Sequence, residues 1–207
     1  MTSATNQPTM PNAVRRLDTA PARSLADLAA IFEDLQTVLR CCARLVDEFA
    51  ESSGGPEDLI VDSLWTTAVL SYTRCFTGYD TCLSDDDVGK TRLQSELLDS
   101  HKALRRLRKQ YTAPRQNPRE QFTVGATQDA DGRASGIAIT AASQPKVDDL
   151  TVRQTGALAY ELSQLVDERI QQQQQRVRDA AAGLSKTQLD KLPLVEIMAT
   201  EETGTSG

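Results

Sequence analysis

The run Ser24-Leu25-Ala26-Asp27-Leu28-Ala29-Ala30-Ile31-Phe32-Glu33-Asp34-Leu35-Gln36-Thr37-Val38-Leu39-Arg40-Cys41-Cys42-Ala43-Arg44-Leu45-Val46-Asp47-Glu48-Phe49 decides the fold class. Leu25, Leu28, Phe32, Leu35, Leu39, Cys42, Val46 and Phe49 recur in alternating steps of three and four. That spacing predicts a helix with one face turned to a core. Ser24 offers an N-cap, and Asp27 three residues later a capping-box-like partner. Gly54-Gly55-Pro56 ends the helix. The stripe places Cys42 inside and Cys41 towards one flank.

Outward from this helix the chain keeps its helical character. Residues 1–21, with three prolines among Thr, Ser and Asn, are expected to form a disordered arm. A second helix is predicted from Glu57 to Gly78, and its apolar residues (Leu59, Ile60, Leu64, Trp65, Val69, Leu70, Tyr72, Cys75, Phe76) cover more than one stripe. A helix apolar on two sides sits centrally in a bundle. Arg74 in that company reads either as a cation reaching the rim along its aliphatic stem or as one anchored near a site. Asp85-Asp86-Asp87 marks a loop or the acidic start of a helix.

A third helix is predicted over Lys90–Tyr111, with Leu93, Leu97, Leu104 and Tyr111 as a narrow stripe. His101 and Arg108 lie on or beside it, seven residues and so about 10 Å apart along the axis. Between residues 120 and 144, Phe122, Val124, Ile137 and Ile139 alternate with small polar residues around the turn signal Asp129-Ala130-Asp131-Gly132, which predicts an inserted β-hairpin. Thr151 to Leu184 reads as a closing helix packed through Leu158, Leu162, Leu165, Val166 and Ile170. The run Gln171–Gln175 continues it, since its neighbours are good helix formers. Ser185 and Gln188 suggest a fresh cap, and residues 193–207 a tail.

With 207 residues and a net charge of −6, the chain is sized for one domain and is not a polyanion binder as a whole. No apolar run reaches the roughly 18 residues of a membrane span, and no signal-peptide core opens the chain, so a cytoplasmic location without membrane contact is the expectation. Cys41, Cys42, Cys75 and Cys82 show no zinc-binding spacing and read as reduced, mostly buried thiols. Neither a metal nor a cofactor is expected: the chain carries no phosphate-binding glycine loop, a single histidine and no glycine-flanked serine elbow.

One segment stands apart. Between Lys102 and Arg119 lie Lys102, Arg105, Arg106, Arg108, Lys109, Arg115 and Arg119, with no acidic residue. On a helix Lys102, Arg105, Arg106 and Lys109 share a face opposite the leucine stripe. That face is either solvated and salt-bridged to the acidic first and last helices, or a local surface for RNA phosphates. Tyr111 and Phe122 are its only aromatic neighbours, so base stacking is not strongly implied.

The segments Leu64-Trp65-Thr66-Thr67-Ala68, Tyr72-Thr73-Arg74-Cys75-Phe76 and Leu107-Arg108-Lys109, followed by Asn117-Pro118-Arg119-Glu120, a hairpin and a Glu/Gln/Arg-rich closing helix, resemble an actinobacterial family of HEPN-like helical proteins over about residues 25–192. Such proteins carry a Leu-Arg-Asp-Lys-His-Ile-Ala-His-Ser-Val-Asn-Pro-like string at this helix end. Arg108, Asn117 and Pro118 match it, whereas Tyr111 and Pro114 occupy the two histidine positions. HEPN ribonucleases pair the Arg and a His with a partner subunit's copy to cleave RNA. Tyrosine, with a pKa of about 10, is a poor acid or base at neutral pH, and proline is none. The resemblance therefore implies fold and homodimerisation more than cleavage.

The resulting expectation is a mainly α protein: a four-to-five-helix bundle over residues 22–192 with an inserted hairpin, HEPN-like. It is read as a non-catalytic binding or regulatory protein, with the wider class implying phage defence, toxin–antitoxin or phage–host roles. A ribonuclease using Arg108, His101, Tyr111 and Arg74 is the first alternative. The second is a structural protein that meets a protein partner through its closing helix. RNA contact would fall to Lys102, Arg105, Arg106, Lys109, Arg115 and Arg119.

Overall fold

The computed structural model describes residues 14–51, 56–91, 96–113, 117 and 119–195. Gly54, Gly55, Leu93, Pro114, Arg115, Pro118 and the two chain ends beyond these ranges lie outside the described residues. The elements are α1 (Ala20–Glu51), α2 (Asp58–Arg74), α3 (Asp85–Gly89), α4 (Glu96–Thr112), β1 (Glu120–Gln128), β2 (Ala134–Ser143), α5 (Asp149–Ala182) and α6 (Lys186–Asp190). The molecule is thus a helical bundle with one inserted antiparallel hairpin. None of the described helices is long and apolar enough to cross a membrane.

Helices α1 and α5, each roughly 50 Å long, form the antiparallel spine. Gln173 Nε2 donates to the Pro21 carbonyl at 3.0 Å, while at the other end Gly156 lies against Cys42, close enough that an added Cβ would sit 3.4 Å from the Cys42 Cβ. A residue without a Cβ lets the two backbones approach there. Leu28, Ile31, Leu35, Val38 and Leu45 of α1 close on Leu158, Leu162 and Val166 of α5 and on Val61, Trp65, Val69 and Tyr72 of α2 in one core. As its two-sided pattern predicts, α2 is central, packed between α1 and α4.

The centre of the α1 face differs from the predicted stripe. Ile31, Leu35, Val38, Cys42 and Leu45 are buried, whereas Phe32, Leu39, Val46 and Phe49 are half-buried at its border. Cys41 is buried alongside Cys42 rather than flanking it. Two helices pack on α1, so its buried arc is wide enough to take in both cysteines. Burial drives the Cys42 and Cys75 thiols up to about 12, which keeps them protonated and inert. Cys82 is exposed.

The helix start also moves. Thr19 Oγ1 accepts the Ala22 N–H at 3.3 Å and caps α1 one turn before Ser24, and Pro21 fits the first turn because its missing N–H would have no partner there. Ser24 instead shares a 2.7 Å hydrogen bond with Thr81. The expected arm is partly structured as well. Arg16 N–H donates to the Pro193 carbonyl at 2.8 Å, and Val195 N–H to the Val14 carbonyl at 2.9 Å. Residues 14–16 are therefore tied to 193–195, and the folded unit reaches past residues 22 and 192 at both ends.

The acidic triplet opens α3. Ser84 and Asp87 form a reciprocal capping box, and Arg169 of α5 clamps the Asp87 carboxylate at 2.5 and 3.2 Å. Burial alone would raise Asp87, but Arg169 and the Ser84 N–H hold it down at about 2. The glutamine run is helical: Gln171 and Gln175 bond Asp167 and Asp179 four residues away. Ser185 and Gln188 close the predicted cap of α6.

In the hairpin, Phe122 pairs with Ala141, Val124 with Ile139 and Ala126 with Ile137. Its turn holds Gly132 at φ +80°, the left-handed region open to glycine, and Asp129 Oδ1 accepts the N–H groups of Asp131 and Arg133 at 3.0 and 2.8 Å.

Candidate nucleic-acid interface

Helix α4 carries the basic run, and its phase decides what each cation can do. Leu98, His101, Leu104, Leu107 and Tyr111 turn inward, so the packed face runs through Leu98 and Leu107 rather than through Leu97 as the predicted stripe had it. The opposite side presents Lys102, Arg105, Arg106 and Lys109 to solvent.

His101 is fully buried among Tyr72 and Phe76. Its Nε2 lies 3.2 Å from Asp85 Oδ1, and its Nδ1 lies 2.8 Å from the Tyr72 hydroxyl. An ionised carboxylate only accepts, so the ring proton sits on Nε2 and Nδ1 accepts from Tyr72. Burial lowers the His101 pKa against the opposing pull of Asp85, and the ring is neutral at pH 7. Its two nitrogens are spent on holding α4 to α2 and α3.

Arg105 extends this network, donating to Asp85 Oδ1 at 2.8 Å with its guanidinium 6.0 Å from the Phe76 ring centre. Beside it opens a groove of about 260 Å³, lined by Thr73 of α2, by Thr77 in the turn just past its end and by Arg105, Arg106, Arg108 and Lys109 from α4. Among the described residues no carboxylate lines it. Among the described residues, Arg106, Arg108 and Lys109 form no salt bridge, whereas Lys102 pairs with Asp99 at 3.5 Å and Arg119 with Asp62 at 2.8 Å. The Thr73 hydroxyl donates to the Val69 carbonyl at 2.9 Å and the Thr77 hydroxyl to the Thr73 carbonyl at 3.3 Å. The groove thus offers donors from cations only. The α2 C-terminus brings a partial negative charge of about half a unit, small against the three cations that have no carboxylate partner among the described residues and Arg105, which is paired with Asp85.

The candidate residues of the sequence reading separate into distinct places. Arg105, Arg106, Arg108 and Lys109 come together in the groove. Lys102 points away to Asp99. Arg119 stands at the hairpin base, in a second cavity of about 420 Å³ with Trp65, Tyr111 and the Asp58–Lys146 pair. Burial raises the Tyr111 phenol, so it stays protonated at neutral pH. Arg74 grips Asp34 through two hydrogen bonds, one of them Nε to Oδ2 at 3.0 Å. That pairing neutralises a carboxylate only 6% exposed on α1 and gives Arg74 a structural role. Arg108 lines the α2–α4 groove and Tyr111 the second cavity, while His101 is buried and Arg74 is paired with Asp34, so neither of these two cavities brings any two of the four together.

Thr73 and Thr77 were missed from the sequence, because a threonine in or just past a helix carries no signal of what lies opposite. Arg108 belonged to the basic run, but its spacing put it on or beside the leucine stripe, and only the family resemblance singled it out as a site residue. No protein-family model, curated protein or solved structure matches the chain.

Proposed function

We propose that this chain is a non-catalytic, HEPN-like binding protein that holds an RNA backbone in the groove between α2 and α4. The observation that carries the reading is the cluster of Arg105, Arg106, Arg108 and Lys109 around one groove that no carboxylate of the described residues lines, on a chain of net charge −6. In an acidic molecule, surface cations are ordinarily neutralised by nearby acids, as Lys102 and Arg119 are here. Three cations with no carboxylate partner among the described residues cost self-repulsion that a bound polyanion relieves. Guanidinium forks suit phosphate oxygens, and the scarcity of aromatic rings at the groove favours backbone over base recognition.

Cleavage is not part of the reading. RNA hydrolysis needs an acid and a base within reach of one ribose phosphate. The only histidine is buried and doubly hydrogen-bonded, and Tyr111 is a protonated phenol in another cavity. As the resemblance implies, the protein would act in phage defence, toxin–antitoxin or phage–host regulation.

Fluorescence anisotropy with an end-labelled single-stranded RNA tests this. The paired substitution Arg106→Glu and Lys109→Glu is expected to weaken binding at least about tenfold with circular dichroism unchanged, and the RNA is expected to remain intact. Unchanged affinity would refute the groove. Cleavage by the wild type that Arg108→Ala abolishes would refute the non-catalytic assignment.

A further inference from the structure

The hairpin carries an uncovered apolar face. The register puts Phe122, Val124 and Ala126 of β1 on the same side as Ala141, Ile139 and Ile137 of β2. Phe122 is 56%, Val124 66%, Ile137 73% and Ile139 71% exposed. Beyond its base the hairpin packs on none of the described helices; β1 and β2 touch essentially each other. The opposite side bears Gln121, Thr123, Gly125 and Thr127 against Gly136, Ala138, Thr140 and Ala142. An isolated two-stranded hairpin is marginal in water, and one with four large apolar side chains on a single side needs a cover.

We infer that this face pairs with the same face of a second copy of the chain. Residues 1–13 and 196–207 are poor covers, because they carry few apolar side chains. Ile197 and Met198 are the only large apolar residues in 196–207, and Met1 and Met10 the only ones in 1–13. Charge selects the second copy. With a net charge of −6, two molecules repel over most of their surfaces. Yet residues 121–128 and 134–143 contain no charged residue and no proline, the devices by which exposed strands are kept apart. A face that repels no copy of itself, and that is complementary to itself under two-fold symmetry, suits an isologous contact.

Area sets the strength. A ribbon about 30 Å long and about 10 Å wide offers on the order of 300 Å² of flat face. With side-chain relief, two copies would bury close to the roughly 1,000 Å² floor of a specific interface. The contact is therefore a weak, concentration-dependent dimer. It involves no groove residue, so it goes beyond the proposed RNA contact and stands or falls separately.

Sedimentation equilibrium of the full chain from micromolar to submillimolar concentration tests the pairing. The wild type is expected to dimerise. Ile139→Lys is expected to weaken dimerisation at least about tenfold without changing the circular dichroism spectrum or melting temperature. Thr140→Lys, on the opposite side, is expected to leave it intact. A monomeric wild type throughout the range would overturn the inference. So would a dimer that survives Ile139→Lys, or one that Thr140→Lys weakens equally.

Discussion

At the scale of single residues, two buried polar groups hold the helices in place. Asp34 is 6% exposed on α1 while its partner Arg74 has a side chain 60% exposed on α2, and this asymmetry makes the pair directional. Removing the cation leaves a buried carboxylate uncompensated, so Arg74→Ala is expected to cost about 3 kcal/mol. Asp34→Ala leaves a cation that water can solvate and should cost only about 1 kcal/mol. Urea unfolding of the two variants would show the order, and an equal or reversed order would contradict it. His101 sets a pH dependence. Its folded-state pKa lies below the ordinary value of 6.5, so below about pH 6.5 the unfolded chain takes up a proton that the folded chain refuses. Its contribution to stability is full above that value and is lost as pH falls towards the depressed pKa. Urea midpoints should fall between about pH 7.5 and 5, and His101→Gln should flatten that part of the decline. Neither pair was legible in sequence. Asp34 sits among α1 apolar positions with its partner on another helix, and the stripe put His101 on or beside the packed face without showing that Tyr72 and Asp85 would hold it.

At the scale of elements, the sequence marked almost every helix and both strands, because each carries its own period and punctuation. The hairpin followed from alternation around Asp129–Gly132, and the α6 cap from Ser185 and Gln188. What periodicity could not fix was phase. Both Leu25/Phe32/Leu39/Val46 and Ile31/Val38/Leu45 repeat at seven residues along α1, and only the positions of α2 and α5 decide which is central. The close approach at Gly156 arises in the same way, from the α1–α5 crossing. Gly156→Ala trades a contact of 3.4 Å against a helix-propensity gain of up to about 1 kcal/mol, and should leave stability within about 1 kcal/mol of wild type. Gly156→Leu must push Cys42 aside and should destabilise by about 2 kcal/mol. Thermal melts that failed to separate the two would argue against tight packing at this point.

For the whole molecule, the bundle was legible because helix-forming composition and stripes agreed across the chain. The groove was half legible. The spacing of Arg105, Arg106 and Lys109 announced a cationic face, but only the packing of α4 on α2 and α3 showed that Arg105 is paired with Asp85 while Arg106, Arg108 and Lys109 line the same groove without an acidic partner among the described residues. The central claim is that these cations hold RNA phosphates, and the salt dependence of binding tests it most directly. For three or four neutralised phosphates on single-stranded RNA, log K against log salt should fall with a slope of about −2 to −3, and Arg106→Ala should make the slope shallower by about 0.7. A wild-type affinity independent of salt, or a slope that Arg106→Ala leaves unchanged, would contradict the account.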